Sequence, residues 1–152
     1  MPGSPNALDD TDKALIEVLQ RDGRAPYTKL ATAVGLSEAA VRQRVQRLID
    51  TNVVQIVAVT DPLRLGFRRQ AMIGLRTEGD ITTVARALAE IAEIDYVVYT
   101  SGSFDLLAEM VCEDDDHLLT LLNEIRRTPG VRETETFMYL RLEKQTYTWG
   151  VR

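Results

Sequence analysis

The stretch 30-LATAVGLSEAAVRQRVQRL-48 decides how this chain is read. Leu30, Ala31 and Val34 recur at helical spacing, and Gly35 then breaks the pattern where a turn needs a positive φ. Ser37 is a natural N-cap for a helix running to about Asp50. The cap rests on Ser37 alone, because a capping box needs Glu or Gln at position 40 and the residue there is Ala40. On a wheel of about 100° per residue, Val41, Val45 and Leu48 share one side and form the buried face. Ala39, Arg42, Gln43 and Gln46 fall opposite, with Arg44 and Arg47 at the flanks. Two helices joined by a short glycine turn have the layout of a helix-turn-helix, whose second helix enters the DNA major groove.

The residue types fit that task. Arginine can bond a guanine edge bidentately and glutamine an adenine edge, so Arg42, Gln43 and Gln46 are the candidate base readers. Arg44 and Arg47 are expected to neutralise phosphates, Ser37 to touch one, and small Ala39 to allow close approach. A merely solvated helix face has a similar composition. The helix, glycine turn and helix together separate DNA reading from that alternative.

Positive charge on this helix looks odd in a chain of net charge −5. The average hides a division. Residues 1–60 carry seven Lys/Arg against seven Asp/Glu, whereas residues 61–152 carry eleven against sixteen. The acidity therefore belongs to the second part, which implies two modules with different partners.

Reading outward, 8-LDDTD-12 starts a first helix, with Asp9 as cap, Asp12 three residues on and Leu8 as a staple. Leu15, Ile16 and Leu19 continue its apolar stripe until 22-DGRAP-26 stops it. The second helix spans about 28–34. Asn52 is suited to the left-handed conformation that ends the third. Beyond it, 53-VVQIVAVTD-61 reads as a strand and 61-DPLRLGF-67 as a turn, giving a linker over 53–67 after a helix-turn-helix domain of 1–52.

The region 68–152 reads strand, helix, strand, strand, helix, strand. Strand patterns cover 69–77, 95–102, 104–113 and 131–144, with a tight Ser-Gly-Ser turn between the middle two. Helical spacing covers 81–94 and 115–130, the latter stopping at Pro129-Gly130. This β-α-β-β-α-β order is ferredoxin-like, so the fold class is α+β. Such a sheet has one face bare of helices, which a second copy covers most simply.

At this point a resemblance is clear. Leu8-Asp9-x-x-Asp12, Gly23-Arg24, Leu30-Ala31, Gly35-Leu36-Ser37 and Val41-x-x-Arg44-Val45-x-Arg47-Leu48 resemble the leucine-responsive/AsnC (Lrp/AsnC) transcription regulators. So do Asp61-Pro62 with Gly66, Ser101-Gly102-Ser103-Phe104-Asp105, and Pro129-Gly130-Val131 with Thr134-x-Thr136. The likeness runs in order over nearly the whole chain. Asn52 departs from it, standing where the family usually has Gly. The resemblance implies a winged-helix-like N-terminal domain binding double-stranded DNA and a C-terminal domain binding a small effector, commonly an amino acid. It also implies a homodimer that can assemble to an octamer, with effector sites between C-terminal domains of different dimers.

The effector region is expected at Ser101, Gly102, Ser103 and Asp105. Backbone N–H groups around Gly102 can receive a carboxylate and Asp105 an ammonium, the two charges of a free amino acid. A plain hairpin, with Asp105 bonding its own turn, is the competing reading of the same residues. Thr134 and Thr136 share one strand face, and the resemblance places similar threonines near the effector.

The run 113-EDDDH-117 tempts a metal reading, but Asp114, Asp115 and Asp116 are better placed to cap and charge a helix start. No metal site and no other cofactor is expected, and no catalytic constellation is visible, so the chain reads as a regulator rather than an enzyme. Cys112 lies in an apolar run and reads as an inert core thiol. No apolar run is long enough to span a membrane, and MPGSPNALDD lacks a signal pattern, so a cytoplasmic protein is expected. The functional alternative is a small-molecule-binding α+β domain or enzyme whose N-terminal helices only dimerise it. RNA binding through the sheet ranks last, since its strands carry acids and few aromatics besides Tyr96 and Tyr99.

Overall fold

A computed structural model describes residues 8–152. The opening MPGSPNA, part of the stretch read for a signal pattern, lies outside the described residues. Two compact units form: Met1–Val59 with Lys144–Arg152, and Thr60–Glu143.

The first unit carries three helices: α1 (Asp10–Arg21), α2 (Tyr27–Val34) and α3 (Glu38–Asp50). Asp9 and Asp12 make the capping box anticipated for α1, each carboxylate accepting from the other residue's amide. Ser37 caps α3 by accepting from the Ala40 amide at 3.3 Å. Gly35 (φ 68°) and Asn52 (φ 56°) both hold the left-handed conformation that ends their helices. Leu15, Leu19, Leu30, Ala31, Val41 and Val45 close the core, so the predicted inner face of α3 is the one buried.

The strand expected over 53–61 is not formed. A strand must place its backbone groups on a ladder, and these residues have no ladder partner among the described residues. The amides of Val53 and Val54 instead bond the Leu48 carbonyl at 2.9 and 3.1 Å, finishing the end of α3. Val57 and Val59 are exposed. Residues 53–59 and 144–152 group with the helices in the first compact unit. Asp61 caps a 3₁₀ turn over Pro62–Leu65 that Gly66 (φ 104°) ends.

The second unit is β1 (Arg69–Thr77), α4 (Ile81–Ala89), β2 (Ile94–Tyr99), β3 (Leu106–Cys112), α5 (Asp115–Arg127) and β4 (Val131–Met138). Its antiparallel sheet has the order β2-β3-β1-β4, the ferredoxin-like arrangement predicted from the element order. In register, Ala71, Ile73 and Leu75 sit between Met110, Ala108 and Leu106 on one side and Met138, Thr136 and Thr134 on the other. That row faces the helices and packs with Val84, Leu88, Leu121 and Ile125. The opposite face carries Met72, Gly74 and Arg76, paired with Glu109 and Leu107 on β3 and with Phe137, Glu135 and Glu133 on β4. Phe104 lies against Gly74 so closely that a Cβ there would come within 2.7 Å of its ring. Phe104 meets Phe137 edge-on at 6.0 Å.

The tight Ser-Gly-Ser turn is also corrected. Residues 100–105 form a longer loop, because the Asp105 amide donates to the Leu75 carbonyl at 2.9 Å and draws the loop across the end of β1. The predicted helix over 81–94 ends at Ala89, and the predicted strand over 131–144 ends at Met138. Asp114 caps α5 by accepting from the His117 amide at 2.8 Å, the role predicted for it. Asp115 pairs with Arg69 at 2.5 Å. Cys112 is buried, and that burial raises its thiol pKa, so it is held as the unreactive thiol.

Candidate nucleic-acid interface and effector region

Ala39, Arg42, Gln43 and Gln46 all lie on the exposed side of α3, where the helical wheel places them. With Arg47 and Asp50 they line one open depression along the helix. The three arginines of this helix are held in different ways. Arg44 Nη1 donates to Asp9 Oδ2 at 2.7 Å and to Asp12 Oδ1 at 2.9 Å. Arg47 Nη2 donates to Asp12 Oδ2 at 2.5 Å. Asp12 is only 1% exposed, so one buried carboxylate on α1 clamps two guanidiniums of α3. Arg42 makes a different contact: its Cζ sits 4.2 Å from the centre of the Tyr27 ring.

This revises the expected division of labour. Arg44 and Arg47 were both expected to serve as phosphate anchors. Arg44 is mostly covered and committed to two carboxylates, which makes it part of the fold. Arg47 keeps 54% of its side chain exposed and can still present nitrogens outward. Gln46 donates to Asp50 at 2.8 Å, an exposed contact that water or a base edge can replace. Ser37 spends its oxygen lone pair on the Ala40 amide, and its hydroxyl proton remains free to rotate.

The clamp has a pH signature. The Asp12 amide bonding Asp9, and then the Arg44 guanidinium, hold the Asp9 carboxyl below its ordinary 3.8. A depressed carboxyl contributes stability that is present above its unfolded pKa and lost as pH falls through the folded one. The first unit should therefore lose stability on acidification below about pH 3.8, and Asp9→Asn should flatten that part of the curve. Urea titrations monitored on the helices at pH 6 and at pH 3 check this. An equal acid loss in the variant would remove Asp9 as the cause.

In the second unit, Ser101, Gly102 and Ser103 are exposed on the 100–105 loop. Gly102 is outside the left-handed region, and a Cβ there would meet nothing within 4 Å. Asp105 Oδ2 accepts from the Thr77 amide at 2.7 Å and from its hydroxyl at 3.2 Å. Arg76 Nε donates to the Ser103 carbonyl at 2.9 Å, and the Thr100 hydroxyl to that of Phe104. The loop is thus fastened from its base while its tip stays open.

Thr134 and Thr136 are half-buried on the helix-covered face, as their shared parity predicts, and Arg126 Nε donates to Thr134 Oγ1 at 3.2 Å. Thr134 pairs with Leu75, which pairs in turn with Leu106 beside the loop. The loop crosses the end of β1 toward β4, with Phe104 on the bare face of the sheet, whereas Thr134 and Thr136 face the helices.

Comparison with known proteins fits this two-unit plan. An AsnC-type helix-turn-helix domain matches residues 8–49, and an AsnC-type C-terminal dimeric α+β barrel domain matches residues 67–152. The chain belongs to the AsnC family of transcriptional regulators. The HTH-type transcriptional regulator FL11 of Pyrococcus horikoshii is 33% identical over 141 residues, covering 91% of this chain and 93% of that protein. The crystal structure of the Mycobacterium tuberculosis leucine response regulatory protein LrpA is 30% identical, with a TM-score of 0.84 over 91% of this chain and 96% of that one. A Neisseria meningitidis regulator, solved as a complex with L-Met, shares the fold at a TM-score of 0.79 and 23% identity, over 96% and 97% of the two chains. As an AsnC-family member the chain is a helix-turn-helix DNA-binding regulator, not an enzyme. No helix among the described residues is long and apolar enough to cross a membrane.

Two features of the AsnC-type domain were missed from the sequence. Tyr27 carried no signal beyond its place before the second helix. The Asp12 clamp had one: a capping acid three residues after the N-cap, with arginines spaced for a single face on another helix.

Proposed function

We propose that this regulator reads duplex DNA through Arg42, Gln43 and Gln46 of α3, and that an amino acid bound to the Thr60–Glu143 unit shifts its DNA affinity or assembly. The observation that carries the first part is Arg42, on an exposed, small-residue-flanked helix face, with its N–H donors unpaired to any carboxylate among the described residues. A guanidinium whose N–H groups are not spent on a carboxylate keeps the fork that matches guanine O6 and N7. Ala39 allows the helix to approach, the Ser37 hydroxyl donates to a phosphate, and Arg47 reaches a second from the edge of its Asp12 contact. Arg44 acts indirectly, by holding the helix.

The L-Met complex of the Neisseria meningitidis relative supports an amino acid as the effector class. The amides of Ser101, Gly102 and Ser103 receive its carboxylate. Asp105 Oδ2 is committed to Thr77, so Oδ1 is the oxygen offered to the ammonium. Thr134 and Thr136 stand on the helix-covered face of β4, while Phe104 of the loop packs on the bare face. They complete the site from a neighbouring copy, which ties effector binding to assembly of homodimers toward an octamer. Phe104, Phe137 and Tyr96 line the bare sheet face that a second copy covers in the dimer, in keeping with the dimeric barrel of the matched domain. The regulator works where the DNA is, in the cytoplasm.

Selection from a random duplex library by the full chain tests the DNA reading. A two-fold symmetric site should be enriched, with half-sites a whole number of helical turns apart. Its affinity should fall linearly in log–log form with salt. A chain that retains no duplex and shows no salt slope would instead be the small-molecule-binding domain with helices used for dimerisation. A thermal-shift screen of the twenty amino acids tests the effector. One supplied at about 100 times its Kd stabilises the folded state by about 2.7 kcal/mol, and a flat screen would reject amino acids as the class.

A further inference from the structure

Of the three arginines on α3, two spend their N–H donors on Asp9 and Asp12. Arg42 is held instead over the face of the Tyr27 ring, its Cζ 4.2 Å from the ring centre. The difference is chemical. A carboxylate occupies the planar donor edge that would bond a base, whereas an aromatic ring engages the cation from its face and leaves that edge free. Tyr27 begins α2, is half-buried, and packs on the core formed by Leu15, Leu30 and Val41. Its ring is therefore a fixed platform, while Arg42 is an exposed side chain of high rotamer entropy. Holding such a chain before the base arrives reduces the ordering cost of binding.

We propose that Tyr27 is a specificity-determining residue: its ring presets Arg42, so discrimination at the base pair read by Arg42 depends on the aromatic face of Tyr27. The proposal rests on the reading of α3 as the base-contacting helix. The ring acts through Arg42 and makes no base contact itself, so Tyr27 is a positioning residue. Its hydroxyl is not required, which sets phenylalanine apart from an aliphatic side chain of similar bulk.

The test uses the full chain and the duplex selected from the random library, together with every single-base-pair variant of that duplex. Arg42→Ala first identifies the position at which preference is lost. Tyr27→Leu, which retains apolar bulk without a π face, should lower discrimination at that position alone by about two- to five-fold. That is the fold-change equivalent to the roughly 0.5–1 kcal/mol of a cation–π contact at an exposed site. Tyr27→Phe should retain wild-type discrimination. In the Arg42→Ala background, Tyr27→Leu should have no further effect at that position. Thermal melts of each variant separate this from unfolding, and Tyr27→Met supplies a second aliphatic replacement if Tyr27→Leu melts early. Uniform weakening across all duplexes, or unchanged discrimination at the Arg42 position, would overturn the role of Tyr27 while leaving base reading by Arg42 intact. If Arg42→Ala itself changes no base preference, the reading of α3 fails and the proposal fails with it.

Discussion

Replacing Asp12 with alanine should cost the helix-turn-helix unit roughly 2–4 kcal/mol, more than removing any exposed residue of α3. Asp12 is 1% exposed and bridges Arg44 and Arg47, so its loss strands two guanidiniums against a site built for a carboxylate. Breaking a fully buried pair costs about 3–5 kcal/mol. The estimate is set lower because Arg47 is half exposed and can turn to water. Half of the capping box at the start of α1 goes with it. Asp12→Asn, which keeps an acceptor and the volume but removes the charge, should fall between alanine and wild type. Urea unfolding combined with hydrogen exchange over α1–α3 measures both. A loss below 1 kcal/mol in the alanine variant would mean that the clamp does not hold α3 to α1.

The second large effect is expected at the opposite kind of site, an entirely apolar one. Leu75 is fully buried toward the C-terminal end of β1, between Leu106 on β3 and Thr134 on β4. Leu75→Ala should destabilise the Thr60–Glu143 unit by about 2–5 kcal/mol, through lost transfer energy and an unfilled cavity. Its carbonyl also accepts the Asp105 amide, so the 100–105 loop should exchange faster before the rest of the sheet does. Exchange in α1–α3 should stay at its wild-type rate, and a matching acceleration there would mean the two units do not fold as separate cores.

What was legible in the sequence is mostly what is local. The Asp9–Asp12 box, the Ser37 cap, Gly35 and Asn52 act within a few residues, and each was found where its chemistry predicted. The buried face of α3 followed from 3.6-residue periodicity, and the sheet order from the succession of elements. The failures are non-local. β-Branched residues over 53–61 express a strand tendency, but a strand exists only with a partner, and the described residues supply none there. The wheel placed Arg44 and Arg47 at the flanks of α3 correctly. It could not show that a carboxylate 32 and 35 positions upstream had already claimed them. The 100–105 loop is long because Asp105 is recruited by Leu75 and Thr77, residues from another strand.

The central claim is that the exposed face of α3 reads bases through Arg42 while Arg44 belongs to the fold. The most direct measurement is the base-preference profile of Arg42→Ala beside the wild-type profile, on the selected duplex and all its single-base-pair variants. The account predicts loss of about 1–3 kcal/mol of discrimination at one base pair per half-site, with preferences elsewhere intact. A profile identical to wild type, or one weakened evenly at every position, would contradict it.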